Sequence, residues 1–131
     1  MTTSCVLIGD RHHALNEGVR GLLEAAFECV LMVGDEASLL EGTARLMPLV
    51  VIADIAMAQG DLDNFIARLI SRSPDSKIVL LTSHDEPSVA VAAARAGAHG
   101  IVLKRSMGAE LLSAVDEVLA GRRYVSPEMR R

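Results

Sequence analysis

Five short runs of unbroken apolar residues set the frame for this chain: Cys5-Val6-Leu7-Ile8, Val30-Leu31-Met32-Val33, Leu49-Val50-Val51-Ile52-Ala53, Ile78-Val79-Leu80-Leu81 and Ile101-Val102-Leu103. They are continuous rather than alternating, and mostly β-branched or Leu. Strands buried on both faces of a parallel sheet read this way. Parallel strands need long crossovers, and helix-length patterns lie between the runs. Leu15, Val19, Leu22, Leu23 and Ala26 keep helical spacing, as do Leu39, Leu40 and Leu46, then Phe65, Ile66, Leu69 and Ile70. An Ala-rich helix follows through Val89, Val91, Ala92 and Ala96, and a last one through Leu111, Leu112, Val115, Val118 and Leu119. Each set can bury one face against a sheet. Gly97 and Gly121 stand where helix stop signals stand, and Pro87 marks a helix start. The expectation is a five-fold βα alternation with helices on both sheet faces.

At 131 residues the chain fits one domain with a core able to fold unaided. Half the residues are hydrophobic but only 2% are aromatic, so the core is aliphatic and base stacking is a poor binding mode. A net charge of −4 does not match DNA or an anionic membrane. The locally basic end, Arg122, Arg123, Arg130 and Arg131, reads as solvated linker. Cys5 and Cys29 form no Cys-x-x-Cys, and both are expected as buried free thiols in a reducing cytoplasm. The start of the chain lacks a basic region of the signal-peptide kind, and no run reaches the roughly 20 apolar residues of a membrane span. His12, His13, His84 and His99 read as solvated loop residues.

Most informative is what ends each strand. The first run ends in Gly9-Asp10-Arg11, the third in Asp54, the fourth in Thr82-Ser83 and the fifth in Lys104. Open α/β sheets bind ligands outside the carboxyl ends of their strands. Asp54 could serve as a metal ligand or as a nucleophile forming an acyl phosphate. Lys104 and the Thr82 hydroxyl would suit a phosphoryl group there. Asp10 and Asp54 offer two carboxylates to a hard cation such as Mg2+.

As an ordered set these residues resemble the receiver domain of bacterial response regulators, from about residue 4 to 121. The likeness rests on Val6-Leu7-Ile8-Gly9-Asp10, Val50-Val51-Ile52-Ala53-Asp54 with Met57, Leu80-Leu81-Thr82-Ser83, and Ala96-Gly97-Ala98-His99-Gly100-Ile101-Val102-Leu103-Lys104. Glu17-Gly18-Val19-Arg20 and Gly121-Arg122-Arg123-Tyr124-Val125-Ser126-Pro127 look most like the subclass with a LuxR-type helix-turn-helix output domain. The resemblance implies a flavodoxin-like doubly wound sheet of five parallel strands, order 2-1-3-4-5. Residues 1–121 would be the receiver, and 122–131 the start of a linker toward an output domain, or a tail. It also implies a signalling switch rather than an enzyme, catalysing at most its own phosphoryl transfer and dephosphorylation. Asp54 would accept the phosphoryl group from a sensor histidine kinase, with Thr82 and Lys104 completing the site. Mg2+ would sit on Asp10, Asp54 and the backbone carbonyl of Ala56. A homodimer, a cytoplasmic location and control of DNA through an output domain outside these residues follow from the same likeness, with no role at a membrane.

Three positions depart from the pattern. Arg11 stands where the family has a second metal-binding acid, a charge reversal that weakens the cation site. It could pair with Asp10 or Asp54 or point into solvent. Ala58 replaces a proline, and Ile101 replaces an aromatic residue whose rotamer is coupled to the Thr hydroxyl. Arg11 makes a phosphorylation-independent pseudo-receiver, acting as a dimerisation or docking module, the main alternative. Val89, Ala93, Leu111 and Val115 are candidates for apolar contact surface. A cobalamin-binding domain is disfavoured because Leu15 occupies the glycine position of an Asp-x-His-x-x-Gly loop begun by Asp10-Arg11-His12. A nucleotide-binding enzyme is disfavoured because Gly9 stands without a phosphate-cradling glycine motif.

Overall fold

The computed structural model describes residues 3–11 and 17–130; His12, His13 and Leu15 lie outside the described residues. The elements are β1 (Thr3–Gly9), α1 (Glu17–Ala26), β2 (Cys29–Val33), α2 (Glu36–Leu46), β3 (Pro48–Asp54), α3 (Leu62–Arg72), β4 (Lys77–Thr82), α4 (Pro87–Ala96), β5 (Gly100–Leu103), α5 (Met107–Leu119) and β6 (Tyr124–Val125). All five apolar runs are strands. The sheet is parallel throughout, in the order β2-β1-β3-β4-β5-β6. The expected order 2-1-3-4-5 is present, with one further strand on the β5 edge.

Successive side chains of a strand face opposite sides, and the central strands supply two cores. Val6, Ile8, Val50, Ile52, Val79 and Leu81 pack beneath α1 and α5 through Val19, Leu23, Leu111, Val115 and Val118. Leu7, Val51, Ala53, Ile78 and Leu80 pack on the other side, beneath α2, α3 and α4, with Phe65, Ile66 and Leu69. This two-sided burial explains why the runs are unbroken.

Local chemistry sets the helix ends. The Asp35 carboxylate accepts from Ser38 N at 2.7 Å to cap α2, and Asp61 accepts from Asn64 N at 3.1 Å to cap α3. Pro87 opens α4. Gly97 closes it at φ +111°, where a side chain would also meet Ile70 at 3.1 Å. Both facts favour glycine there.

Periodicity overreached on several helix faces. Leu22 and Val91 are each 48% exposed, and Ile70 also faces solvent. Conversely, three of the four residues expected as contact surface are core: Ala93, Leu111 and Val115 are buried. Val89 is half-buried and packs against the same core. A repeating apolar pattern marks a face but not its width, which the neighbouring elements fix.

The residues after α5 return to the sheet. Tyr124 N donates to His99 O at 3.2 Å and Ser126 N to Ile101 O at 3.1 Å, laying β6 along β5. A 3-10 turn follows over Pro127–Met129, with Met129 buried. Ser126, fully buried, accepts from Leu103 N at 2.9 Å and donates to Glu110 Oε1 at 2.7 Å. Tyr124 donates its hydroxyl to the same carboxylate oxygen at 2.8 Å.

Candidate functional site

Register brings the strand-end residues together. Gly9 is the partner of Ala53, so Asp10 and Asp54 leave adjacent strands side by side. Asp54 is the partner of Leu81, and Thr82 the partner of Leu103. Thr82 and Lys104 therefore follow on the next two strands, at the same edge. All four expected site residues converge there. Asp10 and Thr82 are fully buried, and Asp54 is 1% exposed. Burying two carboxylates at one edge requires compensating donors or a cation.

Asp54 has two such donors. Its Oδ1 accepts from Ala56 N at 3.0 Å, because Asp54 caps a 3-10 turn over Ile55–Ala58. Its Oδ2 accepts from Lys104 Nζ, a buried ion pair in which the lysine keeps 18% exposure. The Asp10 backbone N–H donates to Val33 O at 3.0 Å, extending the β1–β2 ladder to the site. Thr82 Oγ1 accepts from His84 N at 3.1 Å, which leaves its hydroxyl proton available to an acceptor. Thr82, Ser83, Leu103, Lys104 and Arg105 line a cavity of about 210 Å³ beside the pair. A group bearing anionic oxygens would meet an ammonium and a hydroxyl there.

Gly9 shapes the floor of the site. A side chain there would meet Met57 Sδ at 2.9 Å and Leu39 at 3.0 Å. The glycine lets Met57 tuck under the Asp54 turn.

Arg11 is exposed. The ion pair at Asp54 is made by Lys104, and among the described residues Arg11 makes none with it. Arg105, next to Lys104, points outward: it donates to Asp85 at 3.1 Å and to Glu128 at 2.6 Å. Ile101 is buried in the core beneath α4, its partner on β6 being Val125.

For a cation, the chemistry of the donor set is suitable. Two carboxylates and the Ala56 carbonyl are the hard oxygens that Mg2+ takes, with water completing its shell. Among the described residues no group of three or more His, Cys, Asp or Glu side chains could hold a metal.

Two histidine expectations part ways. His84 is exposed in its loop. His99 is half-buried and structural: its Nδ1 accepts from Ile78 N at 3.0 Å. Burial, then Lys77 and Arg123, hold its imidazole below the usual histidine range. Sequence reasoning also missed Ser126, Glu110 and Tyr124. The only available signal was Tyr124-Val125, a strand-favouring pair inside an otherwise linker-like segment.

The model of the response regulator receiver domain family matches residues 6–116, and the chain belongs to that family. It is 35% identical over 120 residues to the DNA-binding transcriptional activator DevR/DosR of Mycobacterium tuberculosis, covering 89% of this chain and 55% of that protein. It is 32% identical over 126 residues to the transcriptional regulatory protein DegU of Brevibacillus brevis, covering 95% and 53%. This chain therefore spans about half the length of these relatives. Among solved structures, it matches a two-component response regulator of the LuxR family from Aurantimonas sp. SI85-9A1 with TM-score 0.82 and 27% identity, covering 98% of this chain and 93% of that one. The non-phosphorylated receiver domain of RcsB from Escherichia coli matches with TM-score 0.79 and 26% identity, covering 95% and 98%. No helix among the described residues is long and apolar enough to cross a membrane.

Proposed function

We propose that the domain is a phosphorylation switch whose acceptor is Asp54. The observation that carries this reading is the Asp54–Lys104 ion pair beside a cavity bordered by Thr82. A carboxylate oxygen of Asp54 attacks the phosphorus of a phosphohistidine on a sensor kinase. A P–O bond forms, the P–N bond breaks, and the imidazole leaves with a proton. Lys104 stays beside the new phosphoryl oxygens, and the Thr82 hydroxyl donates to one of them. Asp10, Asp54 and the Ala56 carbonyl would hold Mg2+, which supplies neutralising charge to those oxygens. Residues 1–121 act as the receiver, and 122–131, which first lay β6 along β5, lead on toward a DNA-binding output domain. The domain works in the cytoplasm, and its partners are a sensor histidine kinase and a second copy of the chain.

The test is intact-mass analysis after incubation with acetyl phosphate and Mg2+. One labile phosphoryl group is expected on the wild type and none on Asp54→Asn. Label that persists in Asp54→Asn overturns the assignment. Sedimentation with and without a phosphate mimic tests the dimer, and a strict monomer in both states counts against it.

A second reading rests on Arg11, next to Asp10 in sequence, where the family has a metal-binding acid. In that reading the domain docks without phosphorylation. No phosphoryl group on the wild type, together with indifference to beryllofluoride and Mg2+, would favour it.

A further inference from the structure

Cys5 and Cys29 lie far apart in sequence but are direct register partners on β1 and β2. Neighbouring strands run about 4.8 Å apart. That separation lies inside, and near the short end of, the roughly 4.4–6.8 Å range of Cα distances that a disulfide spans. Register partners in a parallel pair also send their side chains to the same face. The two thiols are therefore neighbours on one face of the sheet. Both are free and partly exposed rather than deeply buried, which corrects the expectation of two buried thiols. Their face stays open at the β2 edge, where Leu31 is 44% exposed.

We propose that Cys5 and Cys29 are a reversible dithiol–disulfide pair, closed by hydrogen peroxide. The Cys5 sulfur attacks a peroxide oxygen, the O–O bond breaks, and one water leaves as a sulfenic acid forms. The Cys29 sulfur then displaces the sulfenic oxygen as a second water, and the S–S bond forms. The two thiol protons end in the waters, and two electrons pass from the sulfurs to the peroxide. Assigning Cys29 the second step follows from its surroundings. Its neighbour Cys5, then burial, hold its thiol above the ordinary range, which suits a thiol that resolves the sulfenic acid rather than one that attacks the peroxide.

The position gives the bridge a consequence. β2 is the sheet edge and is held by β1 alone. The other end of that ladder is the Asp10 N–H to Val33 O bond at the acidic site. A bridge at Cys5–Cys29 therefore ties down the strand that props Asp10. A bridge at this partly exposed edge is open to attack by a reducing thiol, which suits a switch rather than a permanent staple.

The experiment treats the purified domain with hydrogen peroxide and follows intact mass. Loss of two hydrogen atoms is expected, reversed by glutathione, with a linked peptide joining Cys5 to Cys29. Hydrogen exchange of the β2 amides should slow in the oxidised form. Cys29→Ser should instead accumulate a dimedone-reactive sulfenic acid on Cys5. Oxygen addition to the two thiols separately in the wild type, or a bridge only between chains, would overturn the proposal. The wild-type mass decides the question even if a serine variant fails to fold.

Discussion

Lys104, at the end of β5, reaches over β4 to pair with Asp54 at the end of β3. Two strand spacings are about 10 Å, so the ammonium must arch above Thr82 to arrive. The pair ties the ends of β3 and β5 across β4, and it joins the two groups on which phosphoryl chemistry at this edge would depend.

Removing either partner of that pair should cost unequally. Lys104→Met leaves a carboxylate that is 1% exposed with only the Ala56 N–H as a named donor. Leaving a buried charge unpaired costs about 3–5 kcal/mol. Asp54→Asn leaves an ammonium with 18% exposure, able to reach water. Urea unfolding at neutral pH should therefore show Lys104→Met as the less stable variant, by at least about 1 kcal/mol. Both variants as stable as the wild type would show that the pair is energetically idle.

Arg11 should weaken the cation site from outside. A unit charge at about 4 Å is worth about 1 kcal/mol in water and about 4 kcal/mol near a protein surface. Arg11→Asp removes a repelling charge and adds a ligand. Calorimetric Mg2+ titration should show tightening of about tenfold or more, a difference of about 1.4 kcal/mol. Phosphoryl transfer from acetyl phosphate should accelerate in parallel. Unchanged Mg2+ affinity would make Arg11 a bystander.

The hold of the β6 segment should depend on Ser126. Ser126→Ala removes the acceptor for Leu103 N and a donor to Glu110. An unsatisfied buried amide costs about 1–3 kcal/mol. Chemical denaturation should read that loss, and exchange at the Leu103 amide should speed up.

Tyr124 gives a direct spectroscopic check on the same cluster. Burial first, then the hydrogen bond to Glu110, push its phenol up to about 12. The chain has one tyrosine, so phenolate absorbance reports it alone. Glu110→Gln should bring the titration down toward 10.0, the ordinary value. No movement would mean that Glu110 does not hold the hydroxyl in solution.

His99 should make stability fall in mild acid. Its folded imidazole titrates below the ordinary 6.5, held down by burial and then by Lys77 and Arg123. The unfolded chain therefore binds the proton more readily, and stability rises with pH between the two values. The contribution is complete above 6.5 and is lost as the pH drops below it toward the folded value. Thermal melts across that window should show the decline in the wild type, and His99→Gln should flatten it.

Much of this was legible along the chain because it is set by local pattern. Unbroken apolar runs mark strands covered on both faces, and the polar residue closing each run must then emerge at one edge. Asp10, Asp54, Thr82 and Lys104 could be assigned to a common edge on that ground. The resemblance supplied the roles proposed for them, and the family model matches residues 6–116, which contain all four. Tertiary structure decided what depends on partners distant in sequence. Which strand lies beside which made Cys5 and Cys29 neighbours, and the free β5 edge turned Tyr124-Val125 into a sixth strand. The width of each buried helix face put Ala93, Leu111 and Val115 inside and left Leu22 and Val91 outside. His99 became an acceptor because Ile78 N lay within its reach. Strand identity is written in nearest-neighbour chemistry, whereas register, edge pairing and burial depth arise only when elements far apart in the chain compete for the same surface.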